Sequence, residues 1–199
     1  MTLAEPRARR WTRNEYYQMA ALGWFRGKRV VLLDGEIIEI PAQGNAHVVT
    51  LAKVTEALQP VFPKGQFWFR SQAPLDLPDG TSDPEPDLAV VPGKPDDSQQ
   101  HPSTALLVVE VSDTSLRLDQ RKAHAYAAAG VPEYWIINLP EHVVEVYRDP
   151  TPDPAAESGH RYKSPMTLRP GDFVTPLAAP QVRVAVADLL PARPVSGTF

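Results

Sequence analysis

The chemistry in this sequence centres on a few acids and one lysine. Glu110 ends an unbroken aliphatic run, Leu106-Leu107-Val108-Val109, of the kind that fills a sheet covered on both faces. A carboxylate inside such a strand costs several kcal/mol, roughly, unless a cation or strong donors meet it. Downstream, Asp119, Lys122 and Tyr126 are three and four residues apart and share one face of a helix. Asp83, Glu85 and Asp87 alternate with Pro84 and Pro86. Asp83 reads as a solvated loop acid and Glu85 is open between loop and site. Asp87 opens the apolar strand Leu88-Ala89-Val90-Val91 and therefore sits at the edge of the core. Two acids at the ends of two buried strands, with a lysine on the next helix, suit a hard divalent cation, Mg²⁺ or Mn²⁺, which takes one or two carboxylates and keeps several waters. A purely structural ion pair of Glu110 with Lys122 or an arginine is the alternative.

The elements that must position these groups follow from periodicity and punctuation. Thr12 and Glu15 form a capping-box signature for a helix over residues 12–22, ended by Gly23, with Trp24 and Phe25 expected to pack beneath it. Residues 29–33 and 36–40 are two strands joined by Asp34-Gly35, the commonest two-residue hairpin turn. A helical period runs over residues 46–61 and closes at Pro60 and Pro63. Strands are expected at 66–70, 73–77, 88–91, 106–111, 133–138 and 143–147, and short ones near 161–163 and 173–175. Further helices are expected at 116–129 and 186–190. Together they describe an α/β (α+β) layer structure. Residues 1–10 read as a flexible basic arm, 11–190 as one domain and 191–199 as a flexible tail.

Composition excludes several classes. The 199 residues include no cysteine, so disulfides and thiolate zinc sites are ruled out. No apolar run reaches the roughly 20 residues of a membrane span, and residues 1–11 lack the apolar core of a signal peptide, so a cytoplasmic protein without membrane contact is expected. A net charge of -4 argues against coating nucleic acid by bulk electrostatics. There is no GxGxxG or GxxxxGK[ST] loop, which removes the common nucleotide folds.

Asp87 in PDLAVV, Glu110 in VVEVS, Asp119, Lys122 and Tyr126 in DQRKAHAY, and the segment GVPEYWIIN occur in an ordered string. With the hairpin LDGEII and His47, that string resembles the Uma-type family of restriction endonuclease-like proteins, a branch of the PD-(D/E)XK nuclease superfamily, over about residues 11–190. The resemblance implies a restriction endonuclease-like fold, a central mixed β-sheet flanked by helices, and metal-dependent hydrolysis of DNA phosphodiesters. Asp87 and Glu110 would hold the Mg²⁺ or Mn²⁺, with the backbone carbonyl of Val111 and the side chain of Glu36 as further ligands. The superfamily lysine would stand at Ser112; Lys122 is its natural replacement. His47, Ser112, Asp119, Arg121 and Tyr126 are candidate substrate contacts, and a homodimer is expected. Basic rims for an anionic substrate are sought at residues 7–13, at 26–29, and at Arg117 with Arg121. Two other readings stay open: a nuclease-fold binding or assembly protein without turnover, and a hydrolase of another phosphorylated substrate.

Overall fold

The computed structural model describes residues 7–97, 99–156 and 158–192. Residues 1–6 of the expected arm and 193–199 of the expected tail lie outside the described residues. In chain order the elements are α1 (Arg13–Ala21), β1 (Val30–Leu33), β2 (Glu36–Glu39), α2 (Asn45–Leu58), β3 (Phe67–Arg70), β4 (Leu88–Pro92), β5 (Leu107–Ser112) and α3 (Leu116–Ala128). They continue with β6 (Glu133–Asn138), β7 (Val143–Arg148), β8 (Thr151–Pro152), β9 (His160–Arg161), β10 (Met166–Leu168), β11 (Phe173–Val174), β12 (Val184–Ala185) and α4 (Val186–Leu189). A short 3-10 turn, Pro95–Asp97, lies in the polar loop after β4.

Six strands form the central mixed sheet in the order β10-β7-β6-β5-β4-β3. Only β5 and β6 pair in parallel, and α3 makes the crossover between them. The alternation of side chains divides the sheet into two faces. Leu88, Val90, Leu107, Val109, Val111, Trp135, Ile137, Val144 and Val146 pack one way, beneath Val54 and Leu58 of α2 and Val186 and Leu189 of α4. Ala89, Val108, Tyr134, Ile136 and Tyr147 pack the other way, against Ala123 and Tyr126 of α3 and Leu33 of the hairpin. Glu110 and Ser112, in phase with Val108, therefore face α3. Leu107 is fully buried at the centre of the first layer. Leu107→Ala is expected to cost about 2–5 kcal/mol of unfolding free energy, read from a urea titration, because the sheet cannot collapse into the space left.

Local chemistry explains the pieces that carry the site. The capping box of α1 is present: the Thr12 hydroxyl accepts from the Glu15 N–H at 3.3 Å and Glu15 accepts from the Thr12 N–H at 3.0 Å. Asp34 and Gly35 have φ of 49° and 74°, the paired positive values of a primed hairpin turn. Arg121 of α3 donates to Asp34 at 3.0 Å and to Glu36 at 2.7 Å, so the hairpin is tied to the helix that carries Lys122.

Four expectations need correction. Residues 73–77 form no strand, because Pro74 and Pro78 interrupt a ladder; Leu75 instead donates to the Pro84 carbonyl and Asp76 to that of Pro102. The central sheet gains β10, paired with β7, a strand with no buried residue and so no apolar alternation to read. Trp24 is 65% exposed, whereas Phe25 stacks on Tyr16 with ring centroids 5.4 Å apart. Asp83 is buried, not solvated: Tyr17 donates to it at 2.9 Å and Arg13 stands 3.5 Å away, which pins α1 to the segment leading into β4.

Candidate active site

β4 and β5 run antiparallel with Leu88 opposite Val109, so the next step of the register sets Asp87 opposite Glu110. Like charges facing each other across two strands repel, and this pair persists only because donors surround it. The Val111 N–H donates to Asp87 Oδ2 at 2.8 Å. Asp87 Oδ1 meets His47 Nε2 at 3.0 Å and accepts from Gln43 Nε2 at 3.2 Å. On the other acid, Glu110 Oε1 accepts from Lys122 Nζ at 2.9 Å and from the Tyr126 hydroxyl at 3.0 Å, while Oε2 accepts from the Asp87 N–H at 3.3 Å.

α3 supplies the cation, and its first turn holds that cation in place. Lys122 Nζ also donates to Asp119 Oδ1 at 3.1 Å, and the Ser115 hydroxyl donates to Asp119 Oδ2 at 2.5 Å. The Tyr134 hydroxyl of β6 donates to the backbone carbonyl of Asp119 at 2.9 Å. Asp119, Lys122 and Tyr126 thus share one helix face, turned toward Glu110.

Burial and neighbouring charge set the protonation of these groups. Burial raises Glu110 above the ordinary carboxylate range, and Asp119 and Asp87 add to that rise against the opposing pull of Lys122. Burial would lower Lys122, but Glu110 and Asp119 more than reverse it, so the amine stays an ammonium. Burial would also raise Asp87. The hydrogen bond and charge of His47, the Val111 N–H and Lys122 outweigh that effect and hold the carboxyl below its usual range. Tyr126, pushed up first by burial and then by Glu110, keeps its proton and remains a donor.

A cleft of about 290 Å³ opens over this pair. Glu85, Asp87, Glu110, Asp113 and Asp119 line it on the acidic side, with Arg29, Lys122 and His47 as the other titratable side chains. Among the described residues, no three His, Asp, Glu or Cys side chains stand close enough to hold an ion unaided. Two opposed carboxylates at the edge of a polar cleft nevertheless match the donor set of Mg²⁺, which keeps several waters. In a strand the N–H and C=O of one residue leave on the same edge. The Val111 carbonyl therefore points the same way as its N–H, toward Asp87.

Asp87, Glu110, Val111, Lys122, Asp119 and His47 come together here. Glu36 and Arg121 do not line the cleft: Glu36 lies between Arg121 at 2.7 Å and Arg10 at 2.9 Å, and its pKa is lowered chiefly by the hydrogen bond from Arg121. Arg10, the last residue of the expected arm, is thereby held against the hairpin. Tyr126 is wholly buried beneath Glu110, with no surface for a substrate. Ser112 is buried outside the cleft lining, and among the described residues its hydroxyl has no hydrogen-bond partner. Gln43 escaped the sequence reading because it carries no motif. Glu85 carried a signal, since in extended chain it projects to the same side as Asp87 two residues on.

Comparison with known proteins agrees with this architecture. A crystal structure described as a putative nuclease belonging to DUF820, from Anabaena variabilis, is similar, with a TM-score of 0.63, 17% identity, and coverage of 81% of this chain and 89% of that one. At that identity the likeness speaks for the fold, a central mixed sheet flanked by helices. None of the curated proteins compared with the chain matches it. Residues 13–187 match the family Uma2, described as "Putative restriction endonuclease", and the chain belongs to that family.

Proposed function

We propose that this protein is a metal-dependent endonuclease that hydrolyses phosphodiester bonds of DNA, with Mg²⁺ or Mn²⁺ as its cofactor. The observation that carries the reading is the opposition of Asp87 and Glu110 beneath the cleft, with the Lys122 ammonium 2.9 Å from Glu110. Asp87 and Glu110 would hold the ion, and the Val111 carbonyl would join them. When bound, a divalent ion supplies charge neutralisation at the phosphate and a water acidic enough to attack near neutral pH. His47 and Gln43 orient Asp87 from α2 and the loop before it, so one carboxylate oxygen keeps a fixed direction. Lys122 lines the cleft and holds its proton, so its part is to stabilise the developing negative charge of the pentavalent phosphate and to hold Glu110 in place; Asp119 keeps it aimed. A homodimer, with two sites on one duplex, belongs to the same reading, as does a cytoplasmic location.

One observation favours the alternative of a nuclease-fold binding protein. All four carboxylate oxygens of Asp87 and Glu110 already accept hydrogen bonds, so the network is satisfied as it stands. Calorimetry with Mn²⁺ and nicking of supercoiled plasmid, run on the wild type and on Glu110→Ala, separate the two. Endothermic or exothermic binding that disappears with Glu110, together with nicking that disappears with it, sustains the nuclease. A wild type that binds no Mn²⁺ at millimolar concentration and leaves plasmid intact would leave only the binding protein.

A further inference from the structure

The cleft that would receive a phosphodiester is itself negative, with five carboxylates in its lining against two permanent cations. An anionic substrate approaching it is repelled before it reaches Asp87 and Glu110. Of the two cations, Lys122 is already divided between Glu110 and Asp119, and its side chain is buried. The other is Arg29.

Arg29 differs from several basic groups of the expected rims. Arg10 is paired with Glu36, Arg13 with Asp76 and Asp83, Lys28 with Glu39 at 2.7 Å, and Arg121 with Asp34 and Glu36. Among the described residues, no carboxylate lies within ion-pair distance of Arg29, whose side chain is exposed at the cleft. Its backbone is nevertheless fixed, because the Ile40 N–H donates to the Arg29 carbonyl at 2.9 Å and continues the β1–β2 ladder by one rung. The guanidinium is thus a fork held in no ion pair, on a rigid anchor, and its charge acts on Glu85 of the same cleft from a distance. A planar fork of donors matches two non-bridging phosphate oxygens.

We propose that Arg29 is the phosphate-holding residue of the site, taking the non-bridging oxygens of a nucleic-acid phosphodiester at the mouth of the cleft. The inference rests on the nuclease reading and adds to it a specific substrate contact, distinct from the residues that would hold metal.

The test measures binding of a labelled mixed-sequence DNA duplex over a salt series, with Ca²⁺ as a carboxylate-binding ion that polarises water weakly. The proteins are the wild type, Arg29→Ala, Arg29→Lys and Lys163→Ala. Lys163→Ala controls for net charge, since that lysine is exposed and pairs with Asp149 away from the cleft. Mn²⁺ calorimetry runs in parallel. Arg29→Ala is expected to weaken duplex binding about tenfold and to reduce the salt slope by about one, with Mn²⁺ affinity unchanged. Arg29→Lys recovers part of the loss and Lys163→Ala shows none. If the wild type binds duplex and Arg29→Ala binds as well as Lys163→Ala, the inference is overturned while the nuclease reading stands. If the wild type binds Mn²⁺ but no duplex, both fall, and the site acts on another substrate.

Discussion

Lys122→Met is expected to lower the unfolding free energy by about 3–5 kcal/mol, the cost of leaving buried carboxylates without their cation. Among the described residues the ammonium is the only cation bonded to Glu110, and it also serves Asp119, so one substitution strands two acids in the layer between the sheet and α3. Urea unfolding at neutral pH reads the loss. A triple variant that adds Glu110→Gln and Asp119→Asn should regain most of it, because it removes the stranded charges and keeps the volume. The pH dependence gives a second check. Glu110 is already raised in the folded protein, so the native state holds its proton more tightly than the unfolded chain, and stability falls as pH rises from the ordinary carboxylate range through the folded value. Without the ammonium the folded value rises further. The deficit of Lys122→Met therefore grows with pH across that window and shrinks in acid. A deficit below about 1 kcal/mol, independent of pH, would mean that Lys122 is not the counter-ion of Glu110.

The same residues mark how far sequence could reach. Glu110 was legible because a charge at the end of an aliphatic strand demands compensation, and Lys122 because helical spacing put it on one face with Asp119 and Tyr126. Asp87 was legible as the acid that opens β4. That it faces Glu110 depends on the register of β4 against β5, which the hydrophobic pattern implies only once the two strands are known to pair. The contributions of α2 and its preceding loop were less accessible. His47 appeared as one of five scattered histidines and Gln43 not at all, because both reach Asp87 through the docking of a helix 40 residues away in sequence. Glu36 illustrates the converse. Its position after the hairpin turn suited the family pattern, but in this chain Arg10 and Arg121 hold it outside the cleft lining. Local propensity could not anticipate that competition. Nor could it reveal β10, whose pairing with β7 compensates for a sequence without apolar alternation.

Asp87→Asn separates the chemistry of the site from its stability, and it should do so with an effect opposite in kind to that of Lys122→Met. The amide keeps the shape of the carboxylate and one good acceptor, which can still receive the Val111 N–H. Its NH₂ then faces the donor of Gln43, a mismatch worth about 1–2 kcal/mol. Against this, the like-charge repulsion with Glu110 disappears, so the net change in stability at neutral pH should be about 1 kcal/mol or less. The sign of the remaining pH effect follows from the lowered Asp87 pKa. Its contribution is present above the unfolded carboxylate value and lost as pH falls through the folded one, and the asparagine variant should lack that acid-side component. Function should respond far more strongly. Losing one of the two proposed anionic ligands should weaken Mn²⁺ binding by about 100-fold or more, beyond the range seen for altered outer partners. On the proposed mechanism, phosphodiester cleavage should fall by about a thousandfold, since the ion that would neutralise the phosphate and activate the water would no longer be held. A well-folded Asp87→Asn protein that binds Mn²⁺ as tightly as the wild type would remove Asp87 from the ligand set. The contacts with His47, Gln43 and the Val111 N–H would then be the whole of its role, a clamp joining α2 to the edge of the sheet.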